Sequence, residues 1–490
     1  MQFSFADRTT SLASTDHLLV IARKGAFGPR TRLATALAHW LPRDVTALAL
    51  QLGVEATPGL LGGAATSRTP AGKRLTVGAL PDDVSRHAAP SRAEGIRRLV
   101  AGSGIAATKN AAVLVVLDDE AHALAAANAI GRALPTWSGK SGRRTPGRLQ
   151  IALVRSNGDP VRLAAADRTI VLRARDAAEL VDLPPSDLDP AAFAAKATAM
   201  LRTLRGVRVR EIRGQALLRA KLGGVHAVGR CARSEPRVLI AQAGPPRGLH
   251  IALVGKGITY DTGGLHLKAR GAMETMKADM GGAAAMLGAF AALAANRLPC
   301  RLSLVLCMAE NAIGPAAYKP DDVLVLHSGK TVEINNTDAE GRLLLADGCS
   351  YAARELGATI VLDAATLTGA QGVATGDLHA AVISNDDGIE QALLTAGRAT
   401  GDLCWPLPFA PEFYRSEFTS PVADMRNSVK NRSNAQVSCA AEFVHWHLDG
   451  AKVRWGHVDL AYPAFRADRG TGFGVALFAA AVRALAAGHR

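Results

Sequence analysis

Asp338, Glu340 and Arg342 alternate along NNTDAEGRLLLADGCSYAA (Asn335–Ala353), directly ahead of an apolar run with helical spacing. Residues two apart share one face of an extended segment. The pattern therefore predicts two carboxylates and a guanidinium aimed the same way. Carboxylates held that close raise each other's pKa unless a cation lies between them. Arg342 could be that cation, and so could a metal. Two other stretches end apolar segments with charge. VGKGITYDTGGLHLK (Val254–Lys268) carries Lys256 and Asp261, then a glycine pair that permits tight turns, then Lys268. METMKADMGGAAAMLGAF places Asp279 where a helix pattern begins.

Each stretch has an ordinary alternative. Lys256 and Asp261 could form a structural salt bridge. Asp279 could be a helix cap or a first-turn acid favoured by the helix dipole. A phosphate loop fits poorly, because G-x-x-x-x-G-K-[ST] is absent and no helix opens after Gly257. The set decides. Asp261, Asp279, Asp338 and Glu340 all fall at strand ends or helix starts of one expected sheet. Four carboxylates meeting at one edge are strongly unfavourable without divalent cations. Two metals, typically ~3.5–4 Å apart, suit hydrolysis. The chain has no H-E-x-x-H, which argues against a mononuclear zincin. Carboxylate-rich ligation suits Zn, Mn or Mg.

The elements that must position these residues read as α/β. After about residue 185, GLHIALVGKGITYD, CRLSLVLCMAE, TVEINN, ATIVLDAATLTG and KVRWGHVDLA are strand-like. GGAAAMLGAFAALAAN, GRLLLADGCSYAAREL and TGFGVALFAAAVRALAAG are helix-like, and the alternation predicts a doubly wound, mostly parallel sheet. Ligands of such sheets bind at the carboxyl ends of the strands. The first third is α/β too, with strands over Ala111–Asp119 and Leu149–Ser156 flanking a helix over Asp119–Leu134. Arg168–Pro190 reads as a connecting strand or helix that breaks at Pro184–Pro185. A new helix then starts with Asp189 as N-cap and Pro190 at N1. The expected organisation is a smaller N-terminal basic α/β domain over 1–165, a linker over 166–185 and a larger catalytic domain over 186–490.

Composition bounds the rest. An apolar content of 48% with 20% charged residues describes a soluble globular chain. The net charge of +14 is concentrated early: residues 1–180 hold 24 Lys and Arg against 14 Asp and Glu. Such an excess suggests an anionic partner such as DNA. The arginines are scattered apart from SGRRTPGR (Ser141–Arg148), however, which favours a solvated face. The six cysteines lack a C-x-x-C spacing and fit reduced thiols in the cytoplasm. The N-terminal residues do not read as a signal peptide. The run Met280–Asn296 is too short and too rich in Ala and Gly for a membrane span.

Together, GKGITYDTGGLHLK, MKADMGGAAA and NNTDAEGRLLLADG resemble the leucyl aminopeptidase family, the M17 cytosol aminopeptidases, in both residues and spacing. LDAATLTGA and GTGFGVALF add to the likeness, which covers roughly 180–490. Over the first third it is limited to length, basic α/β character and position. The resemblance implies roles. Lys256, Asp261, Asp279 and Glu340 would hold the tighter of two metals, and Asp261, Asp338 and Glu340 the exchangeable one. A lysine ligand must be neutral, so a nearby dication and burial would have to lower its pKa. Lys268 would stabilise the oxyanion, and Arg342 would hold a bicarbonate ion acting as general base. Zn or Mn, peptide substrates with a leucine-like first residue, and a homohexamer are implied in the same way.

Two departures stand out. Asp321 replaces the family's usual Gly in YKPDDV, and Tyr462–Pro463 replace Gly and a small residue in HVDLAYPA near the side-chain pocket. His445, His447 and His457 read as packing or surface residues. Met273, Met276 and Met280 could line an apolar pocket or simply pack. Two competing functions remain: DNA binding through the basic N-terminal domain, alone or in addition, and a non-catalytic metal scaffold. The presence of Lys268 and Arg342 argues against the scaffold, since ligation alone has no use for them.

Overall fold

The longest strand, His250–Asp261, is buried at every position but Tyr260. A strand apolar on both faces belongs in the middle of a parallel sheet covered by helices, and that is where this one lies. The computed structural model describes residues 1–7, 12–29, 31–142, 147–296, 298 and 300–488. The arginine cluster expected within Ser141–Arg148 falls partly outside them, at 143–146. The chain divides into two compact units: Met1–Leu172 with Gly397–Gly401, and Arg173–Ala396 with Asp402–Arg490.

The first unit is built on a six-stranded sheet. Its order is Gln2–Phe5, Arg148–Val154, Asn110–Val116, His17–Arg23, Arg74–Leu80 and Gly63–Arg68. All pairings are parallel except the last, which forms an antiparallel edge. Alternate residues of one strand feed separate cores on the two faces: Leu19 and Ile21 on one, Leu18 and Val20 on the other. The expected helix over 119–134 is a short 3-10 turn, Glu120–His122, followed by Ala123–Arg132.

The segment expected to link the domains is itself a helix, Ala165–Asp182. The next helix, Pro190–Arg202, begins as its sequence predicts: the Asp189 carboxylate accepts the Ala192 N–H at 2.7 Å, with Pro190 in the first turn.

The second unit holds an eight-stranded sheet. Its centre runs Arg454–Asp459, Ile360–Ala365, His250–Asp261, Arg301–Asn311, all parallel. Antiparallel strands flank this core on both sides. TVEINN does not join it; Thr331–Glu333 pairs in a separate three-stranded sheet. The helix Gly281–Ala294 lies directly on the central strands, buried from Gly281 through Leu293. Glycine makes that approach possible: a Cβ on Gly282 would stand 2.1 Å from the Ala364 carbonyl oxygen, and one on Gly255 2.5 Å from Ala283 Cα. The result is a tight seat for the helix that follows Asp279. Asp321 has φ +70°, the left-handed conformation that glycine adopts most easily. All six cysteines are free, and no helix among the described residues is long and apolar enough to cross a membrane.

Candidate active site

The parallel central strands deliver the charged residues to one end of the sheet. Asp261 ends its strand, and Lys256 lies five residues earlier with its side chain running beneath the start of the helix Gly341–Arg354. A Cβ on Gly341 would meet Lys256 Cε at 2.5 Å, so the glycine leaves the buried lysine its place without a shift. Lys256 is 2% exposed; its Nζ donates to Asp279 Oδ1 at 2.7 Å and to the Thr366 carbonyl at 2.8 Å, and lies 3.0 Å from Glu340 Oε1. Lys268 Nζ joins the other pair of carboxylates, 2.8 Å from Asp261 Oδ2 and 2.5 Å from Asp338 Oδ1. Carboxylate oxygens of Asp261, Asp338 and Glu340 all lie within 4.8 Å of one another.

The electrostatics follow from crowding in a buried place. Burial, reinforced by Glu340, pushes Asp261 up to about 6. Burial likewise raises Asp279 well above the carboxylate range, with Lys256 opposing it. Burial would raise Glu340 as well, but Lys256 and Lys268 outweigh it and hold this group low. Burial alone would lower both lysines, yet the surrounding carboxylates, led by Asp279 for Lys256 and Asp261 for Lys268, raise them. Four carboxyl groups thus face only two ammonium groups, and the raised Asp261 and Asp279 report the cost of that excess negative charge. Asp279 Oδ2 is buried with no hydrogen-bond partner. An unpaired buried oxygen and an excess of negative charge are what a divalent cation would satisfy. The donor set, carboxylates with one amine, fits such an ion.

One expectation needs correction, and two of the alternatives fall. The alternation of Asp338, Glu340 and Arg342 does not lie on an extended segment. Residues 337–338 form a turn, Glu340 is already α-helical at φ −78°, ψ −37°, and Arg342 sits in the first helical turn. The two carboxylates converge because the turn folds them together, not because of a two-residue period. Arg342 is not the cation between them; that place belongs to Lys256 and Lys268. Its Nη1 donates to the Asn427 carbonyl at 2.9 Å, its Nε is buried without a partner, and burial lowers its pKa to about 10. It lines a cavity of about 200 Å³ with Asn336, Asp338, Thr368 and Gly369. Nor does Asp279 cap a helix: Met280 occupies the cap position, while Asp279 accepts Lys256 Nζ and Thr366 Oγ1.

Several supporting residues escaped sequence reasoning. Thr366 binds both Lys256, through its carbonyl, and Asp279, through a 2.8 Å hydroxyl bond. Asn311 donates to Asp261 Oδ1 at 2.8 Å. The side chain of Asn427 accepts from Asn335 and Asn336 N–H and donates to the Asn336 and Ala339 carbonyls, clamping the turn that carries Asp338. Asp459, fully buried, holds Leu367 N–H and Thr368 Oγ1 and so fixes the loop after Ala365. The histidines behave as packing residues: His447 Nδ1 bonds Ser328 Oγ, His457 bonds Asp363, and His445 packs on Phe409 and Trp455. Met280 is buried, and Met273 and Met276 are half-buried.

A buried carboxylate–lysine cluster at the carboxyl ends of a doubly wound sheet lies where a metal-dependent hydrolase would hold its ions. The chain belongs to the cytosol aminopeptidase family. The catalytic-domain profile of that family matches residues 175–479, and the profile of M17 aminopeptidase N-terminal domain 2 matches residues 56–143. The likeness therefore extends into the first third, beyond the 180–490 legible from the motifs. A probable aminopeptidase NPEPL1 of Mus musculus is 45% identical over 415 residues, covering 83% of this chain and 78% of that protein. The structure of Caenorhabditis elegans leucine aminopeptidase superposes with a TM-score of 0.87 at 32% identity, covering 99% of this chain and 98% of that one. Trypanosoma brucei leucyl aminopeptidase in complex with bestatin gives 0.88 at 34%, covering 98% and 95%. The chain is accordingly a leucyl aminopeptidase-type metallo-exopeptidase, a hydrolase of a family with a dinuclear metal centre.

Proposed function

We propose that this enzyme removes the N-terminal residue of peptides, a leucine-like residue foremost, with Lys256, Asp261, Asp279 and Glu340 holding one divalent ion and Asp261, Asp338 and Glu340 the other. The observation that carries this reading is the convergence of three carboxylate oxygens within 4.8 Å, next to an unpaired buried oxygen of Asp279. When bound, a pair of Zn or Mn ions supplies Lewis acidity that polarises the scissile carbonyl and lowers the pKa of water.

The chain's own residues do the rest. Asp261, Asp338 and Glu340 converge on one point and would fix the position of an ion there. Lys268 lies at the cluster's edge, 14% exposed along its side chain, and stays protonated among carboxylates. Its Nζ offers a preorganised positive charge to the oxygen on which negative charge develops. Arg342, with Nε free of partners and a pKa still near 10, would hold bicarbonate as the general base. Asn427 and Asp459 keep the Asp338 turn and the 366–368 loop in place. A free substrate amine as metal ligand would explain exopeptidase action. Tyr462, 42% exposed, packs on Gly372 and bears on which first residue is preferred.

Hydrolysis of leucine p-nitroanilide by purified, chelated and metal-restored protein tests the reading. Activity should vanish with chelation and return with Mn or Zn; activity indifferent to chelator would refute it. A cytoplasmic homohexamer is part of the same reading, and light scattering that gives a monomer would refute that part. DNA binding through the basic first unit is the second reading, motivated by its charge. Many of those arginines are paired there, as in Arg92–Asp118, Arg97–Glu94 and Arg155–Glu120. Absence of a gel shift at low salt would dismiss it.

A further inference from the structure

We propose that Arg432 forms a carboxylate subsite that receives the free C-terminal carboxylate of a dipeptide, one residue beyond the scissile bond. This rests on the aminopeptidase reading above and adds a selection among peptides: short acids over their amides.

Two cavities, of about 200 and 340 Å³, share Asn336, Asp338 and Arg432 in their walls. The first is also bounded by Arg342 and the second by Lys268. Lys268 is engaged by Asp261 and Asp338, and Arg342 is assigned to bicarbonate, which leaves Arg432 as the uncommitted cation in the shared wall. The backbone around Arg432 is fixed. Asn431 N–H and Asn434 Nδ2 both donate to the Glu417 carboxylate at 2.8 Å, and Lys430 N–H donates to the Glu417 carbonyl at 2.9 Å. The Gln436 side-chain amide donates to the Arg432 carbonyl. The Arg432 guanidinium itself, by contrast, is engaged by no hydrogen bond, ion pair or ring contact among the described residues. Arg432 is exposed, and its guanidinium, carried on a clamped backbone with its donors free, can turn to a carboxylate as a two-donor fork.

The chemistry of the substrate selects the anion. A peptide whose scissile carbonyl lies at Asp338 and Lys268 extends its leaving residue away from them. In a dipeptide the terminal carboxylate follows after one residue, about 3.3–3.6 Å of extended chain. That carboxylate is the charge the Arg432 guanidinium can take up. A longer peptide places an uncharged amide there instead.

The test compares Leu-Gly, Leu-Gly-amide and Leu-Asp-amide with metal-loaded wild type, Arg432→Gln and Arg432→Lys. Wild type should favour Leu-Gly over its amide by about tenfold or more in kcat/KM, the difference lying in KM. Arg432→Gln should collapse that ratio to about one, and Arg432→Lys should retain part of it. Equal turnover of acid and amide by wild type, or an unchanged ratio in Arg432→Gln, would overturn the inference. Preference for Leu-Asp-amide over Leu-Gly would overturn it too, by assigning the anion to a side chain. Leucine p-nitroanilide with wild type separates the two levels: its hydrolysis upholds the underlying reading whatever the acid-to-amide ratio. Calorimetric titration of acid and amide reads the same ratio without turnover, so it decides the point even in an inactive preparation.

Discussion

Replacing Thr366 by Val removes one hydroxyl and keeps the branched shape of the side chain. Thr366 Oγ1 donates to Asp279 Oδ1 at 2.8 Å, beside Lys256 Nζ at 2.7 Å on the same oxygen, while Oδ2 has no partner. In Thr366→Val one donor is left to a buried carboxylate that had two. A hydrogen bond to a charged group contributes about 1.5–3 kcal/mol, and the half-burial of Thr366 places this one near the lower bound. Metal-free protein should therefore lose about 1.5 kcal/mol in urea unfolding. The larger effect should fall on the metal: a carboxylate ligand that loses an orienting bond binds about 10–100-fold more weakly. Titration calorimetry with Mn or Zn would read that loss. An affinity within about threefold of wild type, with the stability loss present, would refute the reasoning, because Thr366 would then support the fold without orienting a ligand.

Acid should destabilise the fold through His447, whose burial, aided by Lys330, lowers its pKa from 6.5 to about 3. The neutral ring is the folded form, so this stability is complete above pH 6.5 and is lost as pH falls toward 3, by up to about 1.4 kcal/mol per unit; His447→Gln should flatten the slope of unfolding free energy against pH. Gly282→Ala should cost about 1–3 kcal/mol or more, since its Cβ would meet the Ala364 carbonyl at 2.1 Å, and thermal melting would detect it. Asp321→Gly should raise the urea midpoint by an amount equivalent to about 0.5–1 kcal/mol, because it relieves a side chain held at φ +70°.

Asp261, Asp279 and Glu340 were legible because they end an apolar strand or precede an apolar helix, and Lys256 because a charge inside an apolar strand is conspicuous. Asp189 was legible as a cap for the same local reason. The geometry joining them was not. The Asp338–Glu340 spacing suggests a strand, but Gly341 opens a helix and the preceding residues turn. Thr366, Asn311, Asn427 and Asp459 are ordinary polar residues whose bonds reach partners far along the chain: 87 positions separate Thr366 from Asp279, and 92 separate Asp459 from Leu367. Local pattern carries no trace of such pairings. The first unit was legible as α/β through its apolar strands, whereas its family likeness emerged only from comparison over 56–143.

The central claim is that Asp261, Asp279, Asp338 and Glu340, with Lys256, hold two ions that hydrolysis requires. Counting bound divalent metal per chain by elemental analysis, alongside leucine p-nitroanilide turnover, in wild type and Asp338→Ala tests it directly. The account predicts two ions in active wild type, and one ion with activity lost in Asp338→Ala. Fewer than two ions in active wild type, or full activity in Asp338→Ala, would contradict it.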